Sequence, residues 1–287
     1  MNAPAARYTE SLTAQLTTRG LIKPPKFLPS SVCYETQMGS VAYGVSQDAS
    51  DVDVYGFCIP PQEIVFPHLA GVIDGFGRQR QRFDQYQKHH VRDDEHACTY
   101  DMNIYSIVRY VHLCMENNPN MLESLFTPMS CVLYTSPAAA LLRERRRLFL
   151  HKGSWFKFKG FAYSQIHKMR TKEPEGKRVA LVERFGFDVK FAYHAVRLMR
   201  EAEQVLTEHD LDLQAHAEEL LQIRRGEWTQ EEVESFFERK EVELEALYAQ
   251  STLPHSPDED AIKGLLLDCL EEVYGSLDGC IVVPGRG

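Results

Sequence analysis

Alternation of hydrophobic and polar residues marks the first part of the chain as a β-sheet region. Residues 32–38 and 51–59 follow this period of two, and 97–103 adds a further predicted strand. Between the first two strands, Gly39-Ser40 predicts a turn and a short helix from Val41, followed by a polar loop over 46–50. The stretch 60–96 has scattered apolar residues and many charges, and we expect it to elaborate the sheet.

Helical periodicity begins after the third strand. Apolar residues at 107, 108, 111 and 115 are spaced by three to four positions. Asn118-Pro119-Asn120 is expected to end that helix, and Asn120 with Glu123 resembles a capping box for a helix over 121–126. Ser136-Pro137 predicts the start of another helix that runs to Leu150.

Beyond residue 150 the strand pattern gives way to helices. They are predicted over 153–170, 186–207, 212–225, 229–250 and 258–275. This order predicts an α+β protein, with a catalytic domain over residues 1–150 and a helical domain over residues 151–287. We expect the functional site in the cleft between the two.

Composition narrows the class of protein. The 287 residues are 44% hydrophobic and 25% charged, as in ordinary folded proteins, and no stretch approaches the roughly 18 apolar residues of a membrane helix. Because the N-terminus also lacks the apolar core of a secretory signal, we expect a cytoplasmic protein without membrane contact. The net charge of -9 argues against coating nucleic acid through a basic field, although a local basic groove stays open. Seven scattered cysteines without a Cys-x-x-Cys pair support neither a disulfide framework nor a zinc ribbon.

The candidate chemistry lies in two adjacent motifs. Met38-Gly39-Ser40-Val41-Ala42-Tyr43-Gly44 contains a turn whose N–H groups could hold a phosphate, and Ser50-Asp51-Val52-Asp53-Val54-Tyr55-Gly56 follows it. Asp51 and Asp53 project from one face of a strand, where two carboxylates repel each other unless a cation lies between them. Mg²⁺ prefers such oxygen ligands together with substrate phosphates.

A third carboxylate would complete this metal site, and Asp101 in the next strand is our candidate. Its role would be to bind the metal nearer the attacking hydroxyl. Asp93, Asp94 and Glu95 are the alternatives, in a charged segment over 88–96 that we interpret as a solvated loop. In the other interpretation, Asp51 and Asp53 are ordinary surface residues of a solvent-facing strand and have no catalytic role. The preceding Gly-Ser turn disfavours that interpretation.

The helix predicted over 186–207 carries a polar stripe opposite an apolar face. Lys190, His194, Arg197 and Glu201 form the stripe, which suits either a solvated face or contact with phosphates. In the helix over 153–170, the aromatic residues are expected to pack in the core. Lys157, Lys168 and Arg170 would then remain as weaker candidates for the substrate path.

These motifs resemble the signature of the polymerase-beta-like nucleotidyltransferase superfamily. The chain most resembles the predicted bacterial and phage branch of this superfamily, which is often found beside RNA ligases. The resemblance to that branch lies in the Ala42-Tyr43-Gly44 of the first motif and in several later motifs. Those motifs are Tyr100-Asp101, Asn118-Pro119-Asn120-x-Leu122-Glu123, Lys190-x-Ala192-x-His194-x-x-Arg197-Leu198 and Ser251-Thr252-Leu253-Pro254. The resemblance runs from about residue 30 to about residue 270.

The resemblance implies a mixed-sheet core and transfer of a nucleoside monophosphate from an NTP such as ATP, with release of pyrophosphate. The cofactor would be Mg²⁺, with Mn²⁺ as an alternative. By matching position, Gly39 and Ser40 become triphosphate contacts and Asp51, Asp53 and Asp101 become catalytic metal ligands. Lys190, His194 and Arg197 become nucleotide contacts.

The acceptor implied by this resemblance is an RNA or tRNA 3′ end, in RNA processing or repair, with a functional association with an RNA ligase. Nucleotidylation of a protein or small molecule is the first alternative. A non-catalytic nucleotide- or RNA-binding module is the second, although such a module does not need both Asp51 and Asp53. The base transferred and the oligomeric state are left open by the sequence.

Overall fold

A five-stranded mixed β-sheet organises the first half of the molecule. The computed structural model describes residues 7–46, 51–79 and 81–281, so Ser50 of the second motif lies outside the described residues. The strand order is β3-β4-β2-β1-β5. The strands are β1 Val32–Gln37, β2 Val52–Cys58, β3 Gln85–Asp93, β4 Cys98–Ser106 and β5 Val132–Thr135.

The direction of the strands sets the register of the site. β2 and β4 run parallel, whereas β1 is antiparallel to both β2 and β5, and β3 is antiparallel to β4. The strands predicted over 32–38, 51–59 and 97–103 are confirmed as β1, β2 and β4. The solvated loop predicted over 88–96 is wrong for 88–93, which belongs to β3. That edge strand exposes one face to solvent, so its polar sequence hides the strand pattern.

Helices make up the remainder of the chain that the structure describes. Those of eight residues or more are α4 Ile107–Met115, α5 Pro119–Phe126, α6 Pro137–Glu144, α7 Ser154–Thr171, α8 Lys177–Phe185, α9 Val189–Glu208, α10 Ala217–Arg224, α11 Gln230–Gln250 and α12 Glu259–Tyr274. The shorter ones are α1 Leu12–Thr18, α2 Leu28–Ser31 and α3 Gln62–Val65. The prediction of a helical last third is confirmed, with α8 as an additional helix.

Two helix boundaries differ from their predictions for local reasons. Helix α5 begins at Pro119, with Asn118 as the N-cap that accepts from the Met121 N–H, because proline fits the first helical position. Glu123 is therefore buried inside the helix rather than part of a capping box. Helix α6 begins at Ser136-Pro137 as predicted but ends at Glu144, and a 3₁₀ turn over Arg146–Phe149 follows.

Hydrophobic packing covers both faces of the sheet. On one face a smaller core joins Leu16 of α1 to Val54, Met102 and Ile104. On the other face a larger core joins Phe57 to residues of α4, α5, α7, α9 and α11. Since this larger core includes residues on both sides of position 150, the sheet and the helices are held against each other. A domain boundary at that position stays a prediction.

The seven cysteines are all reduced, and six of them are buried. None of the helices in the described part of the chain combines the length and hydrophobicity needed to cross a bilayer.

Candidate active site

Two carboxylates lie at partner positions on the parallel strands. The register of β2 and β4 places Asp53 opposite Asp101, so both side chains project from the same face of the sheet. Asp51 immediately precedes β2, two residues before Asp53 and therefore on the same side of the chain. Burial raises the pKa of Asp53, and the charges of Asp101 and Asp51 raise it further. The three predicted aspartates thus form one group of interacting negative charges.

Gly39 lies directly against this group. Its φ of +76° is in the left-handed region, and a Cβ at this position would lie 2.7 Å from Oδ2 of Asp53. The N–H of Met38 donates to the Asp53 carbonyl at 2.7 Å, which holds the two motifs together. Because both the backbone angle and the close approach demand glycine, this position is fixed by the geometry around Asp53.

The turn after β1 is tighter than the helix predicted from Val41. It is a 3₁₀ turn over Gly39–Val41, closed by the Ala42 N–H donating to the Gly39 carbonyl at 3.1 Å. As the first residues of the turn, Gly39 and Ser40 find no acceptor for their N–H groups inside it. Successive N–H groups in such a turn form a concavity that binds anions.

Two histidines of the edge strand β3 lie beside Asp101. The Nδ1 atoms of His89 and His90 are 3.6 and 3.8 Å from its Oδ1, and the His90 N–H donates to the same oxygen at 2.7 Å. The strand register shifts between Lys88 and Val91, and His90 has a φ of 54°. This bulge turns the main chain toward Asp101. No sequence pattern predicts this bulge, because the segment has the composition of a loop.

The alternative third carboxylates belong to a separate group. Asp93, Glu95 and His96 offer three ligand atoms within 4.8 Å of one another, which Asp51, Asp53 and Asp101 do not. However, Arg19 donates to both oxygens of Asp93 at 2.6 Å and to Glu95 at 2.8 Å. Its guanidinium holds the pKa of Asp93 well below the usual range. The cation of this group is therefore an arginine of the chain itself.

A cavity of about 770 Å³ opens beside Gly39 and Asp53. Its opposite wall is built by helices α7 and α9, and its volume falls in the range of about 300–1,000 Å³ typical of small-molecule sites. Among the predicted site residues, Gly39, Asp53, His194 and Arg197 line this cavity. Ser40, Asp51, Asp101 and Lys190 lie outside its lining, next to or in electrostatic contact with residues that form it.

The α9 wall carries positive charge. Burial lowers the pKa of His194 well below its usual range, and the nearby charges of Arg197 and Lys190 lower it further, so the imidazole is neutral at pH 7. Burial also lowers the pKa of Lys190, whereas the carboxylate of Asp53 opposes that shift. His194 and Arg197 line the cavity and Glu201 is buried, so the solvated-face alternative is wrong for these three residues, whereas Lys190 of the same stripe is exposed.

Arg197 is already paired by two acids of the protein. Its Nη1 lies 2.6 Å from Glu123 and 3.0 Å from Glu201, and its guanidinium covers the ring of Tyr43 at 4.0 Å. Tyr43 in turn donates to Glu123 at 2.5 Å. Burial alone would lower the pKa of Arg197, but the two carboxyl groups raise it well above its usual range. Arg197 therefore joins α9, α5 and the Gly-Ser turn beneath the cavity.

Two further arginines, Arg178 and Arg224, lie near enough to His194 for their charges to lower its pKa. Neither was selected as a site residue from the sequence. Arg178 of α8 lines the cavity and pairs with Asp188, the N-cap of α9, at 2.5 Å. Arg224 of α10 donates to the Val45 carbonyl just after the Gly-Ser turn. Both belong to helices whose relation to the turn depends on the tertiary fold. The only sequence signal was the apolar run 179–182, which marks α8 but not its position.

The weaker candidates on α7 separate into two groups. Lys157 and Lys168 line the cavity together with Phe156 and Phe161. Arg170 instead pairs with Glu234 of α11 at 2.9 Å. The expected core packing is confirmed for Trp155 and Phe158, which are fully buried, but it is wrong for Phe156, which is exposed, and only partly right for Phe161, which packs against the core and also lines the cavity.

The donor set at the aspartates fits a divalent metal. The oxygen atoms belong to three carboxylates that have no arginine partner among the residues that the structure describes. The carboxylates repel one another, and this repulsion contributes to the raised pKa of Asp53. Mg²⁺ and Mn²⁺ take ligands of this kind. Asp51, Asp53 and Asp101 are the residues that would hold such an ion.

Comparison with known proteins identifies the family. A family model described as the RNA repair pathway DNA polymerase beta family matches residues 19–268. No curated protein sequence matches the chain. One matching solved structure is a nucleotidyltransferase-like protein from Exiguobacterium sibiricum 255-15, with 12% identity over 96% of this chain and 95% of that chain, at a TM-score of 0.29. The family match confirms the resemblance read from the motifs and, with the mixed sheet, the α+β fold class. The chain belongs to the RNA repair pathway DNA polymerase beta family, a group of polymerase-beta-like nucleotidyltransferases.

Proposed function

We propose that this protein transfers a nucleoside monophosphate from an NTP to an acceptor hydroxyl, with Asp51, Asp53 and Asp101 as ligands of Mg²⁺ or Mn²⁺. The observation that carries the proposal is the pairing of Asp53 with Asp101 on parallel strands, with Gly39 packed against Asp53. The proposal is supported by the adjacency of Gly39 and Asp53, which both line the cavity.

The triphosphate is held between the sheet and the helices. The N–H groups of Gly39 and Ser40 donate to phosphate oxygens from one side, and Lys190 and Arg178 approach from the other. His194 adds a neutral N–H donor, because its pKa is lowered by burial and by the surrounding cations. Together these contacts orient the α-phosphate toward the aspartates.

A divalent cation bound to the aspartates would polarise the α-phosphate and favour ionisation of the acceptor hydroxyl. The acceptor oxygen forms a bond to the α-phosphorus, and the bond between that phosphorus and the α–β bridging oxygen breaks. The electron pair leaves with pyrophosphate, whose charge Lys190 and Arg178 stabilise. Asp101 lies on the side of the site nearest the edge strand and receives the hydroxyl proton.

The proposed acceptor is an RNA 3′ end, which the family assignment to an RNA repair pathway supports. An RNA extended by one nucleotide keeps a 3′ hydroxyl, the group that an RNA ligase joins, and this fits a functional association with such a ligase.

The test is a transfer assay with purified protein, Mg²⁺ and each of the four α-labelled NTPs. RNA with a 3′ hydroxyl is expected to gain label, and the same RNA with a blocked 3′ end is not. The double variant Asp51→Ala, Asp53→Ala is the matched control and should transfer nothing. Label on the protein itself or on a protein in a cell extract, with none on RNA, would replace the RNA acceptor by protein nucleotidylation. No transfer to any acceptor would contradict the proposed activity.

A further inference from the structure

Helix α7 has one face in the core and one face in the cavity. The core face packs against α9 through Trp155, Phe158, Ala162, Ile166 and Met169, at the spacing of three to four residues that buries a helix on one side. The cavity face consists of two adjacent rows of residues, and within each row the residues follow one another at about one helical turn. The first row is Phe156, Gly160, Ser164 and Lys168, and the second is Lys157, Phe161 and Gln165.

Gly160 is unexpected in the middle of this 18-residue helix. Glycine destabilises a helix interior relative to alanine, since it has more backbone freedom to lose on folding. The protein itself offers no steric reason for it, because a Cβ built on Gly160 would meet no atom within 4 Å. The space that the missing side chain leaves open belongs to the cavity that Asp53 and Gly39 also line.

The residues around Gly160 would fit a flat aromatic ligand. Phe156, one turn earlier, is 57% exposed and is supported from behind by the ring of Tyr248, with centroids 5.2 Å apart. Phe161 supplies a second aromatic side chain on the cavity face. Ser164 and Gln165, one turn later, offer hydrogen-bonding groups at the end opposite Phe156. Stacking on aromatic rings with polar contacts at the edge is how proteins hold a nucleobase.

We propose that this face of α7 is the subsite for the base of the bound nucleoside triphosphate, and that Gly160 provides the gap in which the base lies against the helix. The inference rests on the proposed function, because the triphosphate at Gly39 and Asp53 fixes the side of the cavity from which the base approaches. It extends that function by assigning the base to α7, whereas the phosphates contact α9 and the sheet.

The experiment compares two mid-helix glycines. Gly264 of α12 is exposed, has no atom within 4 Å of a built Cβ and does not line the cavity, so it is the matched control for Gly160. Gly160→Ala, Gly160→Leu, Gly264→Ala and Gly264→Leu are prepared in the full chain. Affinities for the four NTPs and for inorganic tripolyphosphate are measured by calorimetry with Mg²⁺, and thermal unfolding is followed for every variant.

The wild-type protein is expected to bind at least one NTP about tenfold or more tightly than tripolyphosphate, because stacking of the base adds to the phosphate contacts. Gly160→Leu should lose this difference and bind both ligands alike, whereas the Gly264 variants should retain it. Both alanine variants should raise the midpoint of thermal unfolding by about 2 °C, since alanine favours the helix. Weaker NTP binding by a more stable Gly160→Ala protein would exclude misfolding as the cause.

Unchanged NTP affinity in Gly160→Leu would overturn the base subsite. Equal affinity of the wild-type protein for NTP and tripolyphosphate would also overturn it, while leaving the triphosphate site and the proposed function standing. Binding of neither ligand would overturn both proposals. A Gly264→Leu protein that loses NTP affinity like Gly160→Leu would show that the effect is general to these helices, and would equally overturn the assignment.

Discussion

Two acidic groups lie on neighbouring strands of the same sheet, and they differ in what balances their charge. Asp93, Glu95 and His96 bring their ligand atoms within 4.8 Å of one another, and Arg19 pairs with both acids. Asp51, Asp53 and Asp101 form a looser group, and burial and mutual repulsion raise the pKa of Asp53. None of the first group lines the cavity, whereas Asp53 of the second does.

The contrast teaches that a tight cluster of possible ligands is not by itself evidence for a metal site, because a cation of the chain can balance it. The Asp93 group is compact because an arginine already draws its carboxylates together. Among the described residues, no lysine or arginine forms an ion pair with the Asp53 group, and Lys190 acts on Asp53 only through its charge. We therefore expect a raised carboxylate pKa, such as that of Asp53, in a group that binds an external cation, and a lowered one, such as that of Asp93, in a group that is already paired.

The largest effect that separates the two groups is expected from replacing one carboxylate in each. Asp53→Asn should lower the rate of nucleotidyl transfer by on the order of 10³, because a ligand that stabilises developing charge contributes several kcal/mol and about 1.4 kcal/mol is tenfold. Asp93→Asn should leave the rate within about threefold. Single-turnover transfer to RNA at saturating NTP and Mg²⁺ measures both.

Circular dichroism and thermal unfolding serve as the control for this pair. Asp53→Asn should be at least as stable as the wild-type protein, since it removes a repelling charge. Asp93→Asn should be less stable, because it loses the ion pair with Arg19. Loss of transfer in Asp93→Asn with full activity in Asp53→Asn would reverse the assignment of the two groups.

A third acidic group sharpens the comparison because its arginine is completely buried. Removing the guanidinium in Arg197→Ala leaves Glu123 and Glu201 facing each other in the core, and should lower the free energy of unfolding by about 3–5 kcal/mol. Denaturant titration measures this loss.

Glu201→Gln is the matched variant for Arg197→Ala. Burial and the neighbouring Glu123 raise the pKa of Glu201 well above its usual range, which favours the protonated acid, and glutamine reproduces the shape of that form. The expected loss is below about 1 kcal/mol. A larger loss in Glu201→Gln than in Arg197→Ala would show that Glu201 is the ionised partner of the arginine.

The sequence predicted the aspartate group better than the residues around it. The period of two placed Asp51 and Asp53 on one face, and the strand ahead of Ile107 contained Asp101, so local pattern alone selected the three. The parallel pairing of β2 with β4, which makes Asp53 and Asp101 neighbours, depends on the order of strands in the sheet. Local pattern does not contain that order.

The residues that sequence reasoning missed come from elements fixed by long-range contacts. His89 and His90 reach Asp101 because an edge strand bulges, and Arg178 reaches the cavity because α8 packs beside α9. The sequence pattern predicted the polar stripe on α9, but it did not predict whether the stripe faces solvent or the cavity. A stripe of this kind faces solvent in most helices, and here the cavity between α9 and the sheet gives it a second polar environment.

A smaller effect is expected from Lys190, whose charge acts on Asp53. Lys190→Ala should weaken binding of tripolyphosphate in Mg²⁺ by about tenfold, since a charge-assisted hydrogen bond contributes about 1.5–3 kcal/mol. Lys190 is exposed, so the free energy of unfolding should stay the same within error. Lys263→Ala on α12 is the control, exposed and outside the cavity lining. Equal affinities in the Lys190 and Lys263 variants would remove Lys190 from the triphosphate site.

The smallest effect on activity, and none at saturation, is expected from Arg19→Ala. Arg19 lowers the pKa of Asp93 in the folded protein below its ordinary value of 3.8, so the unfolded chain binds the proton more readily. The pair therefore stabilises the protein fully above that value, and its contribution declines as the pH falls further. The wild-type protein should be more stable than Arg19→Ala at pH 7, and the difference should shrink in unfolding experiments extended to pH 3.

A difference that is constant with pH would mean that Arg19 stabilises the sheet through packing and not through the charge of Asp93. If added Mn²⁺ restored the stability of Arg19→Ala, a metal could take the place of the arginine, and the two acidic groups would differ only in the cation that each has acquired.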